Sequence, residues 1–523
     1  MTGLQTRHDH EKSRLDGSGD PSYGQVECAD PLVILLSGSL SSKNTTPMTE
    51  TTKTTSATPL LPLAQTIGQS IPYERFLDCV HCGLCTSSCP TYVETGDEND
   101  SPRGRIYLMR SVVDGRLPLT DNVRRHLDLC LDCRSCETAC PSGVQYGRLI
   151  EPFRVEMHEM ASGGAASESS ASIDSSHGGS TAHQTSKPDW FHRWIMYGLF
   201  PDRGRMRWAL KPARLMQMLG FDRLAEKTGL TSLLPAKLRR MQAQLPKLKP
   251  SLPELPAFLP AKGIRRATVG LFIGCVADAM FRHVHWATAR VLQENGCDVV
   301  IPTSQGCCGA IHYHSGASQP ALDLMQQNIH AFQNQKLDAV IVNVAGCGAM
   351  MKDYSHIHDE LTKTKSDHTV GVESDETRFC SLVKDISEFL MTLGPVKPTG
   401  RIDAVVAYQD ACHLQHAQKI RSQPRDLLKL IPGISLRPIA EPELCCGAAG
   451  SYNLTQPEMA DRLGKRKVGC IMDVQPDLVV TGNAGCSLQL QAKLKEAGHD
   501  VPVIHPMELL DLSYRGGRLN ELT

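Results

Sequence analysis

The sequence predicts a multidomain chain in which a mainly α-helical, cysteine-rich part is followed by two duplicated α/β domains. Three observations carry this. The run Cys79-x-x-Cys82-x-x-Cys85-x-x-x-Cys89-Pro90 returns as Cys130-x-x-Cys133-x-x-Cys136-x-x-x-Cys140-Pro141. The 40 residues between the runs show helix start signals and helical apolar spacing. Beyond Lys262, Cys275, Cys307, Cys308 and Cys347 are answered by Cys412, Cys445, Cys446 and Cys486, at offsets of 137, 138, 138 and 139 residues.

The chain has 523 residues and a formal net charge of −1, which suits about three domains of ~150 residues and argues against a nucleic-acid binder. Its 20 cysteines are spaced as metal ligands rather than as a disulfide framework, so a reducing, cytoplasmic compartment is expected. No apolar run approaches the ~20 residues of a membrane span, and Leu32 to Leu36 is too short for a signal core. Residues 1–65 are rich in Ser, Thr, Gly and charge and read as a disordered extension. Cys28 is a lone thiol there, and Met48 offers an alternative start.

Residues 66–160 form the helical cysteine-rich domain. In paired runs of this spacing, three thiolates and the fourth of the other run hold each [4Fe–4S] cube. The expected sets are Cys79, Cys82, Cys85 with Cys140, and Cys130, Cys133, Cys136 with Cys89. Zinc also uses Cys-x-x-Cys pairs, but two three-plus-one runs ending in Cys-Pro favour iron–sulfur clusters. Ser101-Pro102 caps a helix whose face is Ile106, Met109, Val112 and Val113, with Gly115 at its end. Thr120 caps a second helix carrying Val123, Leu127 and Cys130 on one side.

Residues 161–188 are a low-complexity linker, and His177 and His183 within it read as solvated. Residues 189–262 are a basic helical connector. Positions 190–250 hold thirteen Lys or Arg against three acids, with Trp190, Trp194 and Trp208. Two readings stay open: short helices packed over the neighbouring domains, which aromatic stripes favour, or a face for an anionic membrane or acidic partner. The Pro-rich run Leu252 to Pro260 reads as a stiff linker.

The copies occupy 263–395 and 396–523. Asp338-Ala-Val-Ile-Val-Asn-Val-Ala-Gly-Cys347 answers Asp477-Leu-Val-Val-Thr-Gly-Asn-Ala-Gly-Cys486. Such runs predict buried parallel strands delivering a thiolate at their carboxyl ends, and amphipathic stretches such as Ala287 to Glu294 alternate with them. Adjacent cysteines cannot share a metal from a strand, so each Cys-Cys-Gly sits in a turn freed by Gly309 or Gly447. Each copy thus gathers four thiolates, enough for a further iron–sulfur cluster or a zinc ion. Cys297, Cys380 and Cys470 fall outside this pattern and read as structural. His413 beside Cys412 is a candidate substitute ligand, but adjacency alone favours a supporting or purely structural role.

The repeated Cys…Cys-Cys-Gly…Cys resembles the cysteine-rich CCG domain of heterodisulfide reductase, anaerobic glycerol-3-phosphate dehydrogenase and lactate-utilisation subunits. With Val80-His81-Cys82-Gly83, Ser101-Pro102-Arg103-Gly104-Arg105-Ile106-Tyr107, Gly306-Cys307-Cys308-Gly309-Ala310 and Leu414-Gln415-His416-Ala417-Gln418-Lys419, residues 71–515, apart from the insertion 161–187, resemble the glycolate oxidase iron–sulfur subunit. The resemblance implies an electron-transfer subunit of a glycolate dehydrogenase, with FAD-containing partner subunits and a quinone-type acceptor, cytoplasmic or peripheral on the inner membrane face. No dinucleotide or flavin motif is visible in this chain. Three departures stand out: Met350 and Gln489 replace the last cysteine of the fuller CCG pattern, and Asp410 stands where a cysteine often precedes Cys412. These disfavour a five-cysteine cluster. The rivals are a D-lactate or glycerol-3-phosphate dehydrogenase subunit, a disulfide-reducing CCG protein, and a zinc scaffold.

Overall fold

The computed structural model describes residues 67–522 except 164–191, 222–223, 226–227, 230–232, 249–251 and 363–373. The expectations for residues 1–65, with Cys28 and Met48, and for His177, His183 and Trp190 lie outside these residues. The described residues belong to one compact unit.

From Glu74 to Gly163 the elements are helices: Glu74–Leu77, Pro90–Thr95, Pro102–Val113, Asp121–Asp128, Ser135–Ala139 and Gly147–Gly163. Ser101 Oγ accepts the Gly104 amide at 3.0 Å and Pro102 opens the helix. Ile106, Met109 and Val112 face a core with Phe76, Leu127, Leu149 and Phe153. Burying a side chain of that size contributes about 1.5–3 kcal/mol. Thr120 caps the next helix, but that helix closes at Asp128. Cys130 therefore lies beyond it, correcting the expectation that it shares the helix face. The chain turns into a loop there, with a left-handed residue at Asp132.

The connector forms helices over His192–Leu199, Arg203–Met218 and Ala236–Ala243. Met206 and Leu210 pack on Ala279, and Met196 packs on Leu454. Trp194 and Trp208 stay 68% and 72% exposed, so the tryptophans are not the packing face. The inner stripe 206/210 leaves Trp208 on the opposite side, where the Lys211 ammonium stands 3.8 Å above its ring.

Beyond the connector the backbone builds two sheets. The first has β1 (Phe258–Leu259), β2 (Ala267–Phe272), β3 (Cys297–Val300), β4 (Ala339–Val342) and β5 (Val383–Asp385), in the order β1-β3-β2-β4-β5. The second has β6 (Ala404–Tyr408), β7 (Ile434–Arg437), β8 (Leu478–Val480) and β9 (Val503–Ile504), in the order β7-β6-β8-β9. The order β3-β2-β4-β5 is thus repeated, and every pair within it is parallel. Only β1 is antiparallel. It comes from the Pro-rich run, which therefore closes a sheet edge as well as linking; proline is tolerated at an edge because it need not donate to a ladder.

One apolar core joins the copies, running from Val269, Val299 and Ile341 through Val406 and Leu478 to Leu509 and Leu512. At its rim Arg290 forms two hydrogen bonds of 2.8 Å to Asp511.

Candidate metal centres

The two cysteine runs share one backbone path. Third in each, His81 and Asp132 have φ 54° and 51°; fifth in each, Gly83 and Arg134 have φ 84° and 59°. A non-glycine residue in this left-handed region costs about 1–2 kcal/mol. That strain, repeated in both loops, turns successive thiols toward a common centre. Cys89 and Cys140 leave with matching backbones, φ −83° and −85°, both with ψ 115°.

The thiol neighbourhoods are crossed. Burial, and then the thiols of Cys140 and Cys82, push Cys79 up. Burial and the neighbouring Cys412, Cys89 and Cys130 push Cys133 up. Burial with Cys133, Cys89 and Cys130 does the same to Cys136. Cys89 thus lies near Cys133 and Cys136 of the second run as well as near Cys85 of its own, and Cys140 lies near Cys79 of the first. Crowded, desolvated thiols resist ionisation until a cationic centre joins them, and sulfur is the donor an iron–sulfur cube takes. The residues fit such a group.

The two surroundings differ. The first run lies at the surface, with Cys82 exposed and Val80 and Leu84 67% and 59% exposed. The second is interior, with Cys89, Cys133 and Cys136 buried. Arg105, 1% exposed, places Nη1 3.9 Å from Cys89 Sγ and donates from Nε to His126 O at 2.7 Å. Arg154 donates to Cys130 O at 2.6 Å, the Tyr146 hydroxyl lies 3.6 Å from Cys130 Sγ, and the Asp132 amide lies 3.4 Å from it. Burial would raise the Cys130 thiol, yet Arg105 and Arg154 draw it below its ordinary value.

In the first copy Cys275 Sγ lies 3.3 Å from Cys307 Sγ. The Cys308 thiol is pushed up by its contacts with Cys307 and Cys347 and by burial, so four thiols form one chain of contacts. The second copy repeats it: Cys445 Sγ lies 4.0 Å from Cys412 Sγ, and the Cys446 thiol contacts Cys445 and Cys486. Gly309 and Gly447 have φ 85° and 84°, and a Cβ there would stand 3.3 Å from Ala321 O and 2.8 Å from Ala460 O. Cys347 and Cys486 do not end strands, as the sequence suggested. They sit in the first turns of helices Ala345–Lys352 and Ala484–Glu496, because the chain leaves each strand before the Ala-Gly-Cys that opens the helix. Both four-thiol sets fit a tetrahedral metal or a cluster.

The departures are occupied by structural contacts. Met350 is buried, and Gln489 donates to Ala460 O at 3.0 Å while accepting from Asn453 at 3.2 Å. Asp410 receives both guanidinium nitrogens of Arg425, at 2.7 and 2.5 Å. Cys297 is buried in β3, Cys380 contacts Met351 O, and Cys470 faces Glu441. His413 Nδ1 lies 3.6 Å from Cys412 Sγ.

The sequence reading missed the groups that are close only in space. Arg105, Tyr146 and Arg154 meet Cys130 from separate helices, although Arg105 lies in the quoted Ser101 motif. Asp132, Glu151 and His314 converge, with Arg134 donating to Glu151 at 2.7 Å. Burial and Glu151 push the Asp132 carboxyl up; Arg134 and His314 hold Glu151 down against burial. This buried charge network ties the second run to the first copy. Cys133, Cys412, Cys445 and Tyr452 share one packed cluster, with Tyr452 donating to Leu129 O at 2.8 Å. The second run thus abuts the second copy's thiols.

Comparison with known proteins agrees with this layout. Residues 75–144 match the 4Fe-4S dicluster domain, 269–352 and 406–491 each match the cysteine-rich domain, and 187–245 match the linker region of the glycolate oxidase iron-sulfur subunit. The chain is 37% identical to the probable glycolate oxidase iron-sulfur subunit of Bacillus subtilis, over 83% of this chain and 93% of the relative. It is 32% identical to the Escherichia coli glycolate oxidase iron-sulfur subunit, over the same shares. Lactate utilization protein A of Oceanobacillus iheyensis is 30% identical over 48% of this chain and 98% of the relative.

Proposed function

Since the chain belongs to the family of the glycolate oxidase iron–sulfur subunit, we propose that it relays electrons from glycolate, oxidised to glyoxylate at an FAD in partner subunits, to a quinone-type acceptor. It is an iron–sulfur electron-transfer subunit of an oxidoreductase. Bound [4Fe–4S] clusters supply one-electron carriers; the protein sets their spacing, burial and hydrogen bonding.

What carries the reading is the contiguity of thiol sets within one unit, with Cys133 packed against Cys412. In this reading Cys79, Cys82, Cys85 and Cys140 hold the outer cube, and Cys130, Cys133, Cys136 and Cys89 the inner one. The CCG sets Cys275, Cys307, Cys308, Cys347 and Cys412, Cys445, Cys446, Cys486 hold a further cluster or zinc. The same reading divides the chain into a helical ferredoxin domain (66–160), linker (161–188), connector (189–262) and CCG domains (263–395 and 396–523). The packed Met350 and Gln489 and the paired Asp410 support a relay over a disulfide-reducing site. The 48% span of the lactate relative, against the match of the connector to the glycolate linker region, supports glycolate over lactate.

A quinone-type acceptor is supported by a cavity of about 920 Å³ in which cysteines of both CCG sets meet apolar connector residues such as Phe200, Met206 and Met241. Helix Arg203–Met218 turns Trp208, Lys211, Leu215 and Met218 outward on one face, which supports peripheral contact with an anionic inner membrane surface from the cytoplasmic side. No helix among the described residues is long and apolar enough to cross a membrane. Arg205→Glu with Lys211→Glu should weaken sedimentation with anionic vesicles at low salt; unchanged sedimentation removes that contact.

The central test is reconstitution. With its flavoprotein partner the chain should restore glycolate-dependent reduction of an acceptor dye. A Cys133→Ser variant should stop transfer while glycolate still reduces the flavin. Glyoxylate formation by the purified chain alone, free of flavin, would overturn the assignment.

A further inference from the structure

We propose that Arg105 is the positioning residue that holds up the potential of the inner cube, making the exposed cube the entry port and the inner one the step toward the second CCG copy. This rests on the crossed-cube reading above.

The geometry is one-sided. Arg105 comes from helix Pro102–Val113, yet its guanidinium is buried beside the second run's partner thiol. Nη1 lies 3.9 Å from Cys89 Sγ and donates to Thr91 Oγ1 at 3.0 Å; Nε donates to His126 O at 2.7 Å. Asp100 sits 3.6 Å from Nη2, and His126 Nδ1 lies 2.8 Å from the same carboxylate, so the acid engages the nitrogen away from the sulfur. Nη2 has no hydrogen-bond partner in this arrangement. Arg154 adds a second cation at the Cys130 carbonyl. Beside the outer set stands Arg103, 32% exposed, donating to His81 O at 3.0 Å and paired with Glu98 at 2.6 Å, so a carboxylate and the high dielectric of the surface weaken its pull on that set.

Reduction adds one negative charge to a cluster whose ligands are already anionic thiolates. Burial disfavours that charge, and a fixed cation beside the sulfurs offsets the penalty far more strongly in the interior than at the surface. Without Arg105 the inner cube would be the worse electron acceptor. With it, a cluster held by Cys130, Cys133, Cys136 and Cys89 would be the better acceptor for the one electron that a cluster held by Cys79, Cys82, Cys85 and Cys140 would give up. From there Cys133, packed against Cys412, leads to the second CCG set.

The test is potentiometric titration of the holoprotein followed by electron paramagnetic resonance, with the inner signal defined as the one that Cys89→Ser alters. In Arg105→Gln the inner cube's reduced-to-oxidised ratio at the wild-type midpoint should fall at least tenfold, 59 mV for one electron, with the outer midpoint in place. Arg105→Lys, which keeps the charge, should stay within threefold of wild type. If Arg105→Gln loses the inner cube, Arg154→Gln supplies the reading, and it should lower the same midpoint. An unchanged inner midpoint, equal movement of both cubes, or an equal fall in the lysine variant overturns the proposal. If Cys89→Ser alters the outer signal instead, the crossed-cube reading fails by itself.

Discussion

His505 bonds across the two copies through one ring nitrogen and caps a helix through the other, and the cap needs the neutral imidazole because the protonated ring has no acceptor. It caps helix Pro506–Arg515 by accepting the Met507 amide on Nδ1 at 3.1 Å, and its Nε2 donates to Asn343 O of the first copy at 2.9 Å. Burial first of all holds its pKa down to about 4, against an ordinary value of 6.5. The unfolded chain therefore takes up the proton first as pH falls. The stabilisation is whole above pH 6.5 and is lost as pH drops toward 4. Between pH 7 and pH 5 that loss is about 2 kcal/mol for this one group. Asparagine is a good helix cap but does not titrate, so His505→Asn removes the pH term while keeping the cap. The assay is the difference in thermal midpoint between wild type and His505→Asn at pH 7 and at pH 5. Acid loss of clusters is common to both chains and cancels in the difference. Wild type should lose about 2 kcal/mol of its advantage, roughly 2–4 °C for a cooperative unit of about 260–460 residues. A difference that stays the same at both pH values would refute the account.

Three further outcomes are expected. Cys89→Ser should disturb the cluster centred on Cys130, Cys133 and Cys136, seen by electron paramagnetic resonance of the reduced protein; a change confined to the other cluster would reverse the crossed ligation. Gly447→Ala should cost the left-handed penalty of about 1–2 kcal/mol plus a clash with Ala460 O at 2.8 Å, and Gly309→Ala, with 3.3 Å of room, the first of these alone. Thermal midpoints and metal per chain should therefore fall further in the Gly447 variant, and the reverse order would contradict the geometry. Lys467→Met should weaken metal retention at the second CCG set and leave the first as it was, seen as a partial loss of metal per chain relative to wild type.

Spacing made the thiols legible, because three thiols can converge on one centre only at short, fixed separations along the chain. The duplication was legible for the same reason, since its offsets hold within two residues from Cys275 to Cys486. The helix caps at Ser101 and Thr120 were also readable, being local hydrogen bonds within three residues. What escaped was set by distant packing. Arg105 and Arg154 reach Cys89 and Cys130 from separate helices, and no periodicity marks such a meeting. Trp194 and Trp208 were read from a base rate that aromatics pack inward, while Met206 and Leu210 had already filled the inner stripe. The Pro-rich run was read by composition as a linker, yet a sheet edge asks for few amide donors, and Phe258 and Leu259 supply a strand there.

The copies share a fold but have diverged in charge. At equivalent places on their long helices the first copy has Asn328 and the second Lys467. Asn328 donates to Cys307 O at 2.7 Å and accepts the Gly306 amide at 2.9 Å, so it braces the Cys-Cys-Gly turn as a neutral group. Lys467 is fully buried and donates to Glu441 O at 2.6 Å. Burial draws its pKa down, and the nearby Cys446, Cys470 and Cys445 thiols pull the other way. A buried ammonium is costly unless negative charge lies beside it, and here Cys446, whose thiol is held below its ordinary value by its contacts with Cys445 and Cys486, and Glu441 supply it. The second copy is also the one packed against the inner run through Cys412 and Cys445. In the relay proposed above, an electron passing from that run to the second set would meet a buried cation that the first copy lacks. Duplication repeated the four-thiol frame, and Lys467 gives the second copy a buried cation at the position where the first has the neutral amide of Asn328.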